Sequence, residues 1–426
     1  MTGTESFLPP ISRAARPRVA QLLFVVLTAL SAFGPTATPL PALQAAAKPD
    51  EDPYTKGDRT AMERAGIVSF GPFPFGDGHS TRRVDEVLGG ERVRWIETAH
   101  FRIGSTLPEY RIPRAREQRD KIRAELERLA EKLPEVDPKT RKLDPWLRLH
   151  LIALRAEEFY SEFQDWLGVT DADFPDAAPT TIGADFMGLG PYLGQPSKYG
   201  ILLTAKASSH GRYGVAFLGG TLESAKRHNY SKTGTILLAT STELFDGILS
   251  DDTVLHAHLI FNLSQNLLNG YRFYSHDLPL WIPEGLGHWF ARRVTEDHND
   301  FTLAPGEDGD LRSEGNWAPR VRARVRHKYF PTAAEMQLWS QPGELSFADH
   351  MLLWSRWDFL MSRGKQPFAQ FARRSSEPFL DTGGVPAAPE AVRARVEAAL
   401  QEAWGFDLAG FDAEWSAWVL ENYPAK

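Results

Sequence analysis

The sequence predicts an α+β protein, mostly helical, with a small sheet packed on one buried helix and a helical C-terminal region. Three observations carry this reading. Strand patterns at 93–104, 199–205 and 234–240 are few and short, helix-period apolar stripes are many, and the order is strand, two helices, strands, then helices to the end. The chain has 426 residues, enough for one large domain or two or three smaller ones. It contains no cysteine, which removes disulfides, thiolate metal sites and cysteine nucleophiles. Its net charge of −7 argues against a nucleic-acid partner.

Residues 1–47 read as an export signal and linker. Arg13, Arg16 and Arg18 precede an apolar run at 19–33, shorter than the roughly 20 residues of a membrane span, and Ala45-Ala46-Ala47 follows as an A-x-A-like cleavage site. A cleaved signal for periplasmic or secreted delivery is expected, with an uncleaved membrane anchor as the alternative. Residues 48–92, rich in Gly, Pro and charge, read as an extended lead-in. Residues 93–295 form the domain that carries the candidate site, and 296–426 form the helical C-terminal region.

In 114–132, Ile122, Leu126, Leu129 and Leu133 make one stripe, and Pro134 and Pro138 end the helix. In 145–167, Trp146, Leu149, Ala153, Tyr160 and Phe163 line one side, and Gly168 is the expected stop. Further helices are expected at 253–269, 283–294, 346–363, 389–403 and 408–421. No internal repeat is present. The run Gly188-Leu189-Gly190-Pro191 lacks the lysine and helix start of a phosphate loop.

The helix at 253–269 is apolar nearly all round apart from one row. With His258 set at zero, Asn262 falls about 40° away, Gln265 about −20°, Asn266 about 80° and Asn269 about 20°, while His256 lies at about 160°. Such a row on a buried helix must be hydrogen-bonded or must line a wet cleft. Glu284 and His288 are one turn apart on the next helix, Pro283 suits its first turn, and Gly285 and Gly287 permit close approach of another helix. The residues alone leave two readings open: an altered ligand site, or a buried Glu–His or Glu–Asn network that joins two helices.

The segment 278–293, LPLWIPEGLGHWFARR, resembles the second zinc-ligand helix of the gluzincin (thermolysin-like, peptidase MA-like) metallopeptidases, where W-x-x-E-G-L-A presents a metal-binding glutamate. WIETAHFRI at 95–103, the helix pair at 347–373 and the W-x-x-W-V closing segment at 400–423 are similar to the family as well, so the resemblance covers about 93–423. It implies that Glu284 is a zinc ligand and that the upstream helix should read H-E-x-x-H. That helix instead reads Leu255-His256-Ala257-His258-Leu259-Ile260-Phe261-Asn262.

If His258 is the first histidine, Asn262 replaces the second and Leu259 the catalytic glutamate. In the other frame His256 is first, and Ile260 and Ala257 take those places. The first frame keeps the polar face and is preferred. Either way no catalytic residue is left, and loss of a general base alone costs roughly 10²–10⁴-fold. The expectation is an exported, metallopeptidase-like protein without peptidase activity. It would hold a peptide, a glycan or a partner protein in a cleft of His258, Asn262, Gln265, Glu284 and His288. One alternative is an active zinc hydrolase with the atypical ligands His258, Glu284 and His288. The other is a purely structural protein.

The basic run Arg320, Arg322, Arg324, Arg326, His327 and Lys328 would present four arginines together on a strand and scatter them on a helix. A solvated face paired with local acids is expected, with an anionic glycan or lipid headgroup as the other reading. Trp281, Trp289, Trp339, Trp354 and Trp357 read as core. No G-x-S-x-G nucleophile elbow occurs.

Overall fold

Local capping signals start and stop many of the elements. A computed structural model of the chain describes residues 51–180, 183, 185–301, 309–379 and 387–426; the expected export signal lies outside them. The lead-in carries helix α1 (Arg59–Ala65), whose Asp58 side chain accepts the Ala61 N–H, the hairpin β1 (Pro74–Gly76) and β2 (His79–Ser80), and helix α2 (Thr81–Leu88). Strands β3 (Arg94–Glu97), β4 (Phe101–Ser105) and β5 (Tyr110–Arg111) lead to α3 (Arg116–Lys132), then β6 (Lys142–Leu143) and α4 (Pro145–Leu167).

In α4, Asp144 accepts the N–H groups of Trp146 and Leu147, Pro145 occupies the first turn, and Gly168 closes the helix at φ 65°, a left-handed conformation that favours glycine. Next come β7 (Tyr199–Thr204), α5 (Ala207–Phe217), β8 (Lys226–Tyr230) and β9 (Thr235–Ser241). Eight helices complete the described chain: α6 (Asp252–Gly270), α7 (Trp281–Arg292), α8 (Trp317–Arg326), α9 (Ala333–Met336), α10 (Phe347–Ser362), α11 (Lys365–Ser375), α12 (Pro389–Trp404) and α13 (Leu408–Asn422).

The main sheet has the order β3-β4-β7-β9-β8. The pairs β4–β7 and β7–β9 are parallel, and β3–β4 and β8–β9 are antiparallel. Strand alternation splits its side chains between two cores. Ile96, Ile103, Ile201, Leu203, Ile236 and Leu238 face the large core shared with α4, α6, α7 and α10. Trp95, Leu202, Leu237 and Ala239 face a smaller core with Phe73, Phe75, Val84 and Tyr213, closed by the lead-in and α5. The architecture is α+β with a helical C-terminal region, and Trp281, Trp317 and Trp357 are buried in the same large core as the sheet.

A third cluster joins the α3 stripe of Ile122, Leu126, Leu129 and Leu133 to Leu147, Leu151 and Leu143. Lys121 of α3 donates to the Val294 carbonyl at 2.8 Å, tying α3 to the segment that follows α7. The four arginines of the basic run lie on helix α8, with Trp317, Val321 and Val325 on its core face, and His327 and Lys328 follow its end. Its arginines scatter: Arg320 pairs with Glu314, and Arg322 donates to the carbonyls of Val419, Leu420 and Tyr423 at the end of α13. Among the described residues no helix is long and apolar enough to cross a membrane.

Candidate functional site

Helix α6 is capped by Asp251, whose carboxylate accepts the Thr253 and Val254 N–H groups, and almost all of its residues are buried. Its two histidines point apart, as 100° per residue requires. His256 lies 3.5 Å from Glu125 of α3, beside a buried network in which Arg155 of α4 bridges Glu125 (2.5 Å) and Asp252 (2.7 Å). Burial, with the Arg155, Lys121 and Arg128 cations nearby, holds His256 well below the ordinary histidine pKa. This ring packs beside the ion network, away from the His258 face.

His258 faces the other way and is fully buried. Its Nδ1 lies 2.5 Å from Asp300 Oδ2, and its Nε2 lies 3.0 Å from the Thr240 hydroxyl on β9. Burial would raise the Asp300 pKa, but the His258 ring beside it holds the carboxyl below its usual range. One turn on, the Asn262 amide donates to the His258 carbonyl at 2.9 Å and approaches Asp300 at 3.4 Å. His298, in the same loop as Asp300, is pushed down to about 4 by burial. Leu259 and Ala257, the two positions where a general base would stand, are buried apolar side chains.

The α6–α7 crossing is close because Gly287 has no side chain: a Cβ there would meet Gln265 Nε2 and Phe261 Cδ2 at 2.9 Å each. Gly285 does the same against α10, where a Cβ would lie 2.3 Å from Trp357 Cδ1. Glu284, on α7, therefore sits against α6 and β8, only 4 % exposed. Its nearest cation is Arg227 of β8, at 4.0 Å. Burial pushes the Glu284 carboxyl up to about 7; Arg227 opposes the rise, the Asp300 charge adds to it, and the Gln265 amide opposes it.

His288, one turn along α7, packs against Phe261 and Trp317, and its Nε2 lies 3.0 Å from His350 Nδ1 on α10. Burial, then the neighbouring His350, hold it well below the ordinary histidine value. Among the described residues, Glu284, His288 and His350 are the group whose ligating atoms all lie within 4.8 Å of one another. Two imidazoles and a carboxylate are a zinc-type donor set. His258 stands outside this group, its ring nitrogens lying against Asp300 and Thr240.

The row changes character along α6. Gln265 and Asn266 are buried, whereas Asn269 is partly exposed and lines a cleft of about 600 Å³. Arg227, Tyr274, His276, Pro283, Trp339 and Arg393 also line this cleft. It adjoins β8, an edge of the sheet: among the described residues no strand pairs with the outer side of β8. Arg227 lies opposite Leu238, a residue of the α6-facing core, so it projects towards Glu284.

Four residues of this constellation carry no warning in the sequence. Asp300 and His350 lie in a loop and on a later helix, Thr240 is the penultimate residue of an apolar strand, and Arg227 sits in a polar strand without alternation. No family model matches the chain, and no characterised protein matches it.

Proposed function

We propose that the protein is an exported, gluzincin-like protein without peptidase activity that binds an extended peptide along β8 and in the adjoining cleft. The observation that carries this reading is the asymmetry of the α6 row: its inner end is closed and its outer end is open. His258 is enclosed, with Asp300 against one ring nitrogen and the Thr240 hydroxyl against the other. The base positions are filled by Leu259 or Ala257. The outer end reaches the cleft of about 600 Å³, within the size range of ligand sites. An edge strand supplies unpaired backbone groups to an extended peptide, and Arg227 and Arg393 supply charge for its carboxylates.

The test is fluorescence anisotropy with a pool of labelled decapeptides bearing free carboxyl termini. Saturable binding without cleavage, weakened by Arg227→Ala, supports the reading. Absence of binding by the wild-type protein, with a folded circular dichroism spectrum, contradicts it.

A second reading rests on the Glu284, His288 and His350 group, which could enclose a divalent cation as a structural site. Elemental analysis of protein prepared without chelators tests it. About one equivalent of metal, lost in His350→Ala, supports it; a metal-free, fully folded protein eliminates it.

A further inference from the structure

We propose that the cleft between the β5–β6 ribbon and α3 is a binding site for a small ligand carrying two or more phosphate groups. The cleft has a volume of about 680 Å³ and is lined by Arg111, Arg114, Arg119, Arg123, Arg141 and Lys142. The buried side chain of Ile112 lies among them, and no acidic residue lines the cleft. In a chain of net charge −7, six cations around one concavity are a local excess that composition does not explain.

Neighbouring acids compensate only part of it. Lys142 pairs with Glu109 at 2.7 Å, and Arg119 with Asp120 at 3.3 Å. Among the described residues Arg111, Arg114, Arg123 and Arg141 have no carboxylate partner, and the Arg123 Nε is buried without a hydrogen bond.

The scaffold holds these cations in place. Arg111 lies opposite Lys142 in the β5–β6 register, and the Ile112 N–H donates to the Arg141 carbonyl at 3.0 Å. Arg119 and Arg123 are one turn apart on α3, and Ile112, Ile122, Leu126 and Leu143 pack both elements into one core. Like charges fixed around a concavity focus a positive potential, and an anion that enters is stabilised by it.

Five of the six cations are arginine, whose planar fork matches phosphate oxygens in pairs. The volume suits a small molecule, and the concave shape does not suit a flat membrane or a polymer duplex. The shared chemistry is therefore clustered phosphate in a compact ligand.

Isothermal titration with inorganic tripolyphosphate at low salt tests the site. The double variant Arg114→Glu/Arg141→Glu changes two exposed, unpaired side chains and keeps the fold, as circular dichroism will check. Arg326→Glu/Lys328→Glu makes the same charge change on exposed residues at the end of α8. We expect saturable binding by the wild type, at least about ten-fold weaker in the first variant and within about two-fold in the second. No binding by the wild type, or equal weakening in both variants, overturns the proposal. So does binding to phosphatidylglycerol vesicles that tripolyphosphate neither matches nor displaces.

Discussion

His258 Nδ1 lies 2.5 Å from Asp300 Oδ2, and this contact ties the buried helix α6 to the loop that follows α7. It also decides what the histidine can do, because the Thr240 hydroxyl takes the second nitrogen. Both partners are nearly inaccessible, with side chains 0 % and 7 % exposed, so removing one leaves the other buried and unpaired. Asp300→Asn should therefore lower the unfolding free energy by about 3 kcal/mol in urea melts. His258→Ala should cost a similar amount, and the double variant should cost less than the sum of the two. Additive effects would show that the two side chains act independently.

Glu284 makes a prediction with a sign. Its carboxyl is held at about 7 in the folded protein, against an ordinary 4.5. A raised carboxylate pKa means that the native state keeps its proton while the unfolded chain loses it. The contribution to stability is therefore complete below about pH 4.5 and is lost as pH rises to about 7. Its size is about 3 kcal/mol. His298, pushed down to about 4 by burial, acts in the opposite sense, losing stability as pH falls from about 6.5. The quantity to measure is thus the difference between wild type and Glu284→Gln. That difference should fall with rising pH across this window, and a flat difference would mean that Glu284 titrates normally.

The two glycines of α7 should not be equivalent. A Cβ at Gly285 would lie 2.3 Å from Trp357 Cδ1 and 2.8 Å from the Leu353 carbonyl, and the Trp357 ring is completely buried. A Cβ at Gly287 would meet Gln265 Nε2 and Phe261 at 2.9 Å, where less movement is needed. Alanine gains about 1 kcal/mol in helix propensity, and overpacking costs typically 1–3 kcal/mol. Gly285→Ala should destabilise by about 2 kcal/mol net and Gly287→Ala by less than about 1 kcal/mol. Thermal denaturation of both variants checks the order, and a reversed order would contradict the packing described.

How much of this was legible in the sequence depends on whether the signal is local. The bounds of α4 follow from Asp144, Pro145 and Gly168, all within one turn of its ends. The wheel of α6 separates His256 from His258, because helical periodicity alone fixes their directions. Strand β8 carries Lys226, Arg227, His228 and Asn229, exposed or half-exposed polar residues that give no period-two apolar pattern. Helix α5 begins Ala207-Ser208-Ser209-His210-Gly211, with little helix propensity. The basic run became legible only through the spacing of Trp317, Val321 and Val325 on α8. Asp300 and His350 meet their partners through tertiary folding, which no pattern along the chain encodes.

Zinc-supplemented protein, wild type against Glu284→Gln, is assayed for hydrolysis of a fluorogenic peptide library. The closed His258–Asp300–Thr240 arrangement predicts no turnover above buffer in either sample. Hydrolysis by the wild type that disappears in Glu284→Gln would contradict it.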